Sequence, residues 1–353
     1  MKTLEQFAQK IEVVPAATSW YLADLGEARG RQDLFTRRSP EKMKALLEHA
    51  LVESTVSSNR IEGVSVEERR IRTLVFGHPH LQSRAEEEIR GYRDALNLIH
   101  SKRQNLAVSE ETILRLHAMI SGQIWDAGHY KAKDSEIIQT YPNGRTRVRF
   151  RTVKASETPA ALRRTLSLWD ECLKERWVHP LVALAAFNLD FLCIHPFRDG
   201  NGRVSRLLLL LQLYHLGYEV GRYISVERLI EDNKERYYET LEESSKGWHV
   251  GRHDPWLYVN FILYILRLAY RELEDRAGQI KTARGAKTQL VLAAVEGFAG
   301  DFTTRDLHEA CPSVSREMIR RVLRQLSRSA KVRCMGRGPG ALWRKEGTIS
   351  KRG

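Results

Sequence analysis

A polar loop between two apolar segments decides the fold: His195-Pro196-Phe197-Arg198-Asp199-Gly200-Asn201-Gly202-Arg203-Val204-Ser205-Arg206. The flanking segments 181–192 and 204–216 have the length and composition of buried helices. Two glycines around an asparagine allow the backbone to turn so that amide N–H groups converge. Converging amides at a helix N-terminus bind anions, because unpaired donors and the helix dipole both favour negative charge. The stretch therefore predicts two core helices joined by an anion-binding loop.

The same loop carries side chains suited to phosphate chemistry. Arg203 and Arg206 lie three residues apart and can clamp phosphate oxygens. Asp199 is placed where a carboxylate could hold Mg²⁺. His195 belongs to the residue type that takes a proton from a hydroxyl near neutral pH. A tight interhelical turn would explain the glycines but needs none of these groups, so the set indicates phosphoryl or nucleotidyl transfer.

The loop resembles the signature of the Fic family, HxFx(D/E)GNGRxxR, and matches it at every fixed position. The resemblance covers roughly Ser39 to Leu273. It implies a mainly α fold, a Fic-type helical bundle with an inserted β-hairpin flap. It also implies an enzyme that uses ATP and Mg²⁺ to transfer AMP to a Tyr, Ser or Thr hydroxyl. The acceptor would be a target protein, as yet unidentified, or the enzyme itself.

The resemblance also implies a role for each loop residue. His195 would deprotonate the attacking hydroxyl, Asp199 would bind Mg²⁺, and Phe197 would anchor the loop in the core. Backbone amides and two arginines would hold the phosphate oxygens: Gly200, Asn201, Gly202, Arg203 and Arg206. Relatives that act as kinases of the Doc type have a lysine in place of Gly202, so the glycine favours a complete nucleoside triphosphate.

A second motif lies upstream, where Ser58, Glu62 and Gly63 match the family pattern (S/T)xxxE(G/N). Three fixed positions alone are also typical of an ordinary helix that ends at a glycine cap. In a Fic chain they imply autoinhibition, in which Glu62 pairs with Arg206 and occupies the γ-phosphate site. The position before the core implies the class with an N-terminal inhibitory helix.

A β-hairpin is predicted within the helical body. Residues 136–141 and 145–150 are β-prone runs on either side of Pro142-Asn143-Gly144, a strong turn signal. Arginines recur at every second residue of the second run, which predicts one wholly basic face: Arg145, Arg147, Arg149 and Arg151. That face is either functional or a solvated surface. The hairpin resembles the Fic flap, which holds the target segment by strand addition.

Further helices are predicted from apolar spacing and caps: one from Pro40 with Ser39 as N-cap, one over 86–99, one after Ser109, and one over 256–273. Tyr237 and Tyr238 fall on another helix, where they either line the adenine pocket of a Fic protein or pack in the core. His249 and His253 are interpreted as surface residues, since a third metal ligand is lacking.

The C-terminal end differs from the rest in charge. The chain has 353 residues and a net charge of +13, and residues 281–353 contain 16 Lys or Arg against 6 Asp or Glu. A helix over 289–295, a helix from Phe302, a turn, a helix capped by Ser315 and a basic hairpin resemble a winged helix. Such a module binds either DNA or protein, and four arginines are the candidates for phosphate contact: Arg316, Arg320, Arg324 and Arg337. The predicted domain boundaries are 1–110 for an N-terminal helical region, 111–275 for the Fic core and 276–353 for the winged helix.

Other classes of protein are disfavoured. Apolar runs long enough to span a membrane and a secretion signal are both missing from the sequence. Four separated cysteines predict reduced, mostly buried thiols in a cytoplasmic protein.

The sequence is consistent with three hypotheses about the activity. The leading one is an autoinhibited protein adenylyltransferase. The second is removal of AMP, or transfer of another nucleotide, on the same loop. The third is a DNA-binding regulator whose Fic domain senses a nucleotide, and homodimerisation is open under all three.

Overall fold

The computed structural model describes residues 2–9, 13–38, 40–77, 79–102, 105–122, 124–140, 143–278, 288, 291–292, 294–295, 298, 300–311, 314–336, 338 and 340–346. The chain divides into two compact units, Met1–Asp275 and Arg276–Gly353. The predicted N-terminal region 1–110 and core 111–275 both fall in the first unit. Several predicted features lie outside the described residues: the Ser39 cap, Tyr141 and Pro142 of the hairpin, much of the helix over 289–295, and Arg337.

The first unit is a helical bundle. Its helices are α1 (Lys2–Ala8), α2 (Ala16–Arg38), α3 (Pro40–Ile61), α4 (Glu68–Phe76), α5 (Arg84–Lys102), α6 (Glu110–Ser121), α7 (Thr158–Glu175), α8 (Pro180–Ile194), α9 (Asn201–His215), α10 (Val226–Asp232), α11 (Lys234–Ser245) and α12 (Trp256–Gly278). The mainly helical fold predicted from the sequence is therefore confirmed. In the part of the chain that the structure describes, no helix is long and apolar enough to cross a membrane.

The two helices on either side of the polar loop form the centre of the bundle. Every residue of α8 from Leu181 to Ile194 is buried, and α9 is buried from Val204 to Tyr214. A helix that is apolar all round packs against neighbours on every side. The loop over 195–200 is therefore held at both ends by buried helices.

Two helices near the N-terminus escaped sequence analysis. Short α1 is held by tertiary contacts, because the buried carboxylate of Asp190 accepts hydrogen bonds from Thr3 and from the Leu4 amide, at 2.6–3.1 Å. In α2 the apolar residues do not form a clear stripe.

The interpretation of His253 as a surface residue is wrong: it is buried and its Nε2 lies 2.8 Å from Thr3 Oγ1.

The predicted hairpin is present as β1 (Glu136–Thr140) and β2 (Thr146–Arg151), which pair antiparallel. A bulge interrupts the register, so that Ile137 pairs with Phe150 and Ile138 with Val148, which leaves Arg149 as the extra residue. The prediction of one wholly basic face is wrong, because a bulge breaks the period of two. Arg149 and Arg147 both form ion pairs with Glu242, while Arg151 pairs with Glu136.

The second unit combines a small sheet with helices. Strands β3 (Phe302–Thr303), β4 (Val332–Cys334) and β5 (Leu342–Lys345) form an antiparallel sheet in the order β3-β5-β4. Helices α13 (Thr304–Ala310) and α14 (Arg316–Arg328) pack against it, with Thr303 and Ser315 as N-caps. Phe302 and Thr303 pair with β5 and are not helical, contrary to the sequence prediction. Cys172, Cys193 and Cys311 are buried free thiols, whereas Cys334 is exposed.

Candidate active site

A pocket of about 330 Å³ opens beside the start of α9. It brings together residues that are far apart in the sequence: Glu62, Ile137, Ile138, Arg149, Phe150, Leu192, Cys193, His195, Gly202, Tyr237, Tyr238, Leu241, Glu242 and Ser245. Five of the predicted site residues are among them, namely Glu62, His195, Gly202, Tyr237 and Tyr238. A concave, largely apolar pocket with a few polar groups has the usual form of a small-molecule site.

The polar loop is shaped by its own side chains. Asn201 accepts a hydrogen bond from the Phe197 amide at 2.9 Å and donates one to the Phe197 carbonyl at 2.8 Å. Phe197 is fully buried, as predicted, and stacks on His117 with ring centroids 3.8 Å apart. Gly200 adopts a φ of +79°, which a side chain would disfavour. Asn201 thus supports the loop with its side chain, in addition to the predicted contribution of its amide.

His195 follows directly from the end of α8, with its ring at the pocket wall. Its Nδ1 lies 3.3 Å from the Leu192 carbonyl, so Nδ1 carries the proton and Nε2 remains free to accept one. Burial and, to a smaller extent, the positive charge of Lys131 lower the pKa of His195 to about 4, against the opposing effects of Glu62 and Asp199. The imidazole is therefore neutral at pH 7, the form that a general base requires.

The N-terminus of α9 presents a site for an anion. Its N-cap is Gly200, without a side chain to satisfy the first amides. Arg206 Nη1 is buried and has no hydrogen-bond partner among the described residues, and it lies 3.1 Å from the position that a Cβ on Gly202 would take. A buried donor without a partner is costly, so an anion bound there would be stabilised.

Glu62 occupies part of this anion site. Its Oε1 accepts a hydrogen bond from Arg206 Nη2 at 2.8 Å and lies so close to Gly202 that a Cβ would overlap it. Arg206 also donates to Ser58, from Nε to the hydroxyl at 2.8 Å and from Nη2 to the carbonyl at 2.9 Å. The predicted ion pair between Glu62 and Arg206 is thus present in the structure.

Helix α3 ends in a way that places this glutamate. Gly63 has a φ of +81°, its amide donates to the Arg60 carbonyl, and the Val64 amide donates to the Asn59 carbonyl. This pair of bonds is a Schellman cap. The glycine in the motif therefore terminates the helix and at the same time fixes Glu62 at the mouth of the anion site.

Arg203 has different partners from Arg206. It is fully buried, and its Nη1 donates to Glu88 at 2.6 Å and to Asn59 at 3.3 Å. It is not among the residues that line the pocket. Arg203 therefore ties α9 to α5 and α3, a contact that the predicted phosphate clamp did not include.

Asp199 is the candidate for holding a metal. Its side chain is 57% exposed, Oδ1 accepts from the Gly200 amide at 2.7 Å, and Oδ2 lies 3.6 Å from Arg203. Mg²⁺ binds proteins through one or two carboxylates and completes its coordination with water and phosphate oxygens. A single accessible carboxylate beside an anion site fits that requirement.

Comparison with known proteins identifies one domain of the chain. The sequence model of the Fic/DOC family matches residues 107–213, which include the whole polar loop. The chain carries a Fic/DOC family domain. A curated relative, "Protein adenylyltransferase Fic" of Nematostella vectensis, is 23% identical over 217 residues, which are 58% of this chain and 46% of the relative. The match thus spans about half of that protein's length.

Solved structures have the same fold. A Fic family protein from Desulfovibrio desulfuricans G20 superposes with a TM-score of 0.66 at 22% identity, covering 95% of this chain and 98% of that one. A Fic domain containing signaling protein from Bacteroides thetaiotaomicron VPI-5482 gives a TM-score of 0.61 at 20% identity, over 74% of this chain and 100% of the other. These similarities extend the Fic fold beyond residues 107–213.

The far end of the pocket is aromatic. Tyr237 is 3% exposed and its ring lies 5.1 Å from that of the half-buried Tyr238. Arg149 from the hairpin lies over the Tyr238 ring and forms an ion pair with Glu242 on α11. The hairpin is thereby joined to the wall of the pocket that the two tyrosines form.

Sequence analysis did not find two residues that support the loop of the Fic domain. His117 on α6 accepts a hydrogen bond from the Gly128 amide at 3.0 Å and contacts the Asp199 carbonyl at 3.2 Å. In the sequence, His117 stands out only as a polar residue on the apolar helix face formed by Ile113, Leu116 and Ile120. Lys131 contacts the other side of the loop, and a single lysine in a polar segment carries no signal of that role.

Proposed function

We propose that this protein is an adenylyltransferase that transfers AMP from ATP to a Tyr, Ser or Thr hydroxyl of a target protein and of itself. The observation that supports it best is the arrangement of the pocket. A neutral histidine, an uncapped helix N-terminus and a buried arginine with a free donor surround one space. These groups fit a nucleoside triphosphate whose α-phosphate is attacked by a hydroxyl.

The chemistry follows from the positions of these groups. His195 Nε2 accepts the proton of the acceptor hydroxyl, whose oxygen then forms a bond to the α-phosphorus of ATP. The bond from the α-phosphorus to the bridging oxygen breaks, pyrophosphate leaves, and the imidazolium returns its proton to solvent. Arg206 and the amides at the start of α9 hold the phosphate oxygens. These donors stabilise the negative charge that develops on the phosphates in the transition state. When bound, Mg²⁺ held by Asp199 would neutralise phosphate charge.

Inhibition is proposed to arise from the Glu62 carboxylate. It occupies the place where a phosphate of ATP would pair with Arg206. A second anion at that position is repelled by Coulomb interaction that the buried surroundings strengthen. On this proposal the ion pair between Glu62 and Arg206 belongs to an inhibited form, and activity requires that Glu62 move or be removed.

The hairpin is the proposed surface for the acceptor. The cross-strand pair Ile138 and Val148 is 55% and 43% exposed, although both are large apolar residues. Strand edges bind extended peptides through main-chain hydrogen bonds. A target segment paired along the hairpin would bring its hydroxyl close to the pocket, since Ile137, Ile138 and His195 all line it.

The experiment that tests the proposed activity supplies several nucleotides. The Glu62→Gly protein is incubated separately with ATP, GTP and UTP, each labelled at the α-phosphate, and incorporation is followed with and without Mg²⁺. We expect label from ATP with Mg²⁺. Preferential label from UTP or GTP would instead support transfer of another nucleotide, and release of AMP from a modified protein would support the reverse reaction.

A pH profile tests the assignment of the base. Since His195 is neutral above a pKa of about 4, the initial rate for Glu62→Gly should stay within about twofold between pH 7 and pH 5. A histidine with the ordinary pKa of about 6.5 would lose about thirtyfold at pH 5. Removal of Glu62 lowers the pKa of His195 further, because that carboxylate raises it.

The profile needs a folding control. The unfolded chain binds the His195 proton at higher pH than the folded chain does, so below about pH 6.5 the free energy of unfolding decreases as well. Circular dichroism at each pH separates the two effects. A rate that falls with a midpoint near 6.5 in folded protein would contradict the assignment.

DNA binding by the second unit is a separate proposal, favoured by the exposed face of α14. Its buried face is apolar, and the opposite face carries five exposed arginines: Arg316, Arg320, Arg321, Arg324 and Arg328. Among the described residues, none of the five forms an ion pair. A helix of 13 residues with unpaired positive charge on its solvent face fits the major groove of DNA.

The test compares two arginines of the same unit. Arg320→Gln is expected to weaken binding of duplex DNA and to reduce the slope of log K against log salt by about 1. Arg305→Gln is the matched control, because Arg305 is exposed on α13 but already paired with Glu309 at 3.0 Å. Equal effects of the two substitutions, or no mobility shift of the wild type in about 50 mM salt, would contradict DNA binding.

A further inference from the structure

Lys131 is a buried lysine without an acidic partner. It precedes β1, it is 5% exposed, and in the described part of the structure no carboxylate lies within ion-pair distance of it. Its ammonium donates instead to Thr152 Oγ1 at 2.7 Å and to the Ile194 carbonyl at 3.1 Å, with Ser135 Oγ at 3.5 Å. Burial lowers the pKa of Lys131 to about 8, against the opposing effect of Asp134. A lysine buried at such cost needs a reason.

The lysine contacts the main chain on both sides of His195. Its side chain binds the Ile194 carbonyl, and its backbone amide donates to the Pro196 carbonyl at 2.9 Å. His195 itself has a φ of +54°, in the left-handed region. His195 is the C-cap residue of α8, where a left-handed residue is common but is usually glycine, because a side chain disfavours that region. The two contacts therefore fix the peptide groups that enclose the strained residue.

We propose that Lys131 is a positioning residue, which holds His195 in its left-handed conformation with Nε2 presented to the pocket. The inference rests on the proposed function in so far as His195 is the base of that reaction. The role itself is geometric and does not depend on which nucleotide is used.

The positive charge of Lys131 also favours the neutral form of the His195 ring. The ionisable groups that affect His195 are Lys131, Glu62 and Asp199, and only the lysine opposes protonation of the ring. An ammonium close to a neutral imidazole makes addition of a second positive charge unfavourable. Lys131 thus maintains both the direction and the protonation state of the ring.

Lys131 also connects His195 to the hairpin. Ser135 and Thr152 lie just before β1 and just after β2, and Thr152 Oγ1 lies 2.7 Å from the Ser135 carbonyl. With one ammonium group the lysine binds this foot of the hairpin and the carbonyl of Ile194, which directly precedes His195. Base and acceptor surface therefore share one rigid support.

The test uses Lys131→Met in the Glu62→Gly background, because methionine keeps the stem and removes the charge and donors. We expect kcat to fall by about 10- to 100-fold, since misplacement of a reacting group by about 1 Å has such an effect. KM for ATP should change by less than about threefold, as expected when ground-state binding is retained. Lys133→Met is the matched control, an exposed lysine of the same loop, and Lys131→Arg should restore much of the rate.

A second readout is independent of activity. The NMR titration of histidine-labelled protein, with the His195 signal assigned from His195→Ala, should show a higher pKa of His195 in Lys131→Met than in its Glu62→Gly parent, because the ammonium that lowers this pKa is removed. The pKa should stay below about 6.5, because the burial that lowers it most remains. In the parent, the same signal should shift again near pH 8, where Lys131 loses its proton. This second measurement needs no substitution at Lys131 and holds if Lys131→Met does not fold.

Two results would overturn the proposal. One is an unchanged kcat together with an unchanged His195 titration in folded Lys131→Met. The other is a His195 signal that is flat through pH 8 in the parent protein. Failure of the proposed function would look different, because no nucleotide would be transferred by any variant while the titration still followed Lys131.

Discussion

In the Glu62→Gly background, His195→Ala is expected to abolish AMP transfer while ATP still binds. The imidazole acts on the attacking hydroxyl and not on the ground-state phosphates, so its loss should appear in kcat. General bases contribute about 10²- to 10⁴-fold to a rate, and we expect a loss in that range. Initial rates of label incorporation and calorimetric titration with ATP measure the two quantities separately.

The matched control is His215→Ala, at the exposed far end of α9. It should label as fast as the parent. If the His195→Ala protein kept more than about a tenth of the parent rate, the loss would fall short of what a general base provides, and the assignment would be wrong. A loss of ATP affinity equal to the loss of rate would instead assign His195 to binding.

Glu62→Gly is expected to raise self-modification strongly, by about 10- to 100-fold, a range typical of coupling between two mutually exclusive ligands. The carboxylate bound at 2.8 Å to Arg206 Nη2 is removed, so the guanidinium becomes available to phosphate. Glu62→Gln is the conservative variant. It keeps the shape and removes the charge, so its rate should lie between those of wild type and Glu62→Gly.

Arg206→Ala separates inhibition from activation. It breaks the same ion pair but also removes the group that orients the triphosphate, so its activity should stay low. The double variant should resemble Arg206→Ala, because both effects pass through one guanidinium and do not add. Thermal melts are required for each protein. Arg206 is 3% exposed, and removal of one partner of a buried pair costs about 3–5 kcal/mol.

Equal self-modification by wild type and Glu62→Gly would remove the inhibitory role from Glu62. It would leave the assignment of the phosphate loop intact, since that rests on His195, Gly202 and the start of α9. A double variant as active as Glu62→Gly would show that Arg206 does not bind ATP.

The central part of the fold was predictable because its signal is dense and local. The polar loop fixes residue types at fixed spacings, and the flanking segments are strongly apolar, so α8, α9 and the loop were predictable from this one stretch of sequence. The pairing of Glu62 with Arg206 was implied by the two motifs together, and the structure contains that ion pair.

What sequence analysis missed depends on contacts between distant residues. The partner of Arg203 is Glu88, and nothing in the local sequence of either indicates it. Helix α1 forms because Asp190 holds its first amides, although seven residues alone are too few for a stable helix in water. A bulge at Arg149 breaks the alternation of the arginines in β2, and bulges have no reliable signal in the sequence.

The supports of His195 belong to the same class. Lys131 acts on the carbonyls of Ile194 and Pro196 beside His195, and His117 contacts the Asp199 carbonyl further along the loop. A contact to a carbonyl does not restrict the residue type that provides the carbonyl. The contacts of Lys131 and His117 depend on the folded backbone around His195, which the sequence alone does not describe.

The position of the transferred label decides whether the protein transfers AMP or the γ-phosphate of ATP. Glu62→Gly protein with Mg²⁺ is given ATP labelled at the α-phosphate in one reaction and at the γ-phosphate in another, with Glu62→Gly/His195→Ala as the control. We predict stable incorporation of the α-label, none of the γ-label, and neither in the control. Incorporation of the γ-label would show phosphoryl transfer and would contradict the proposed AMP transfer.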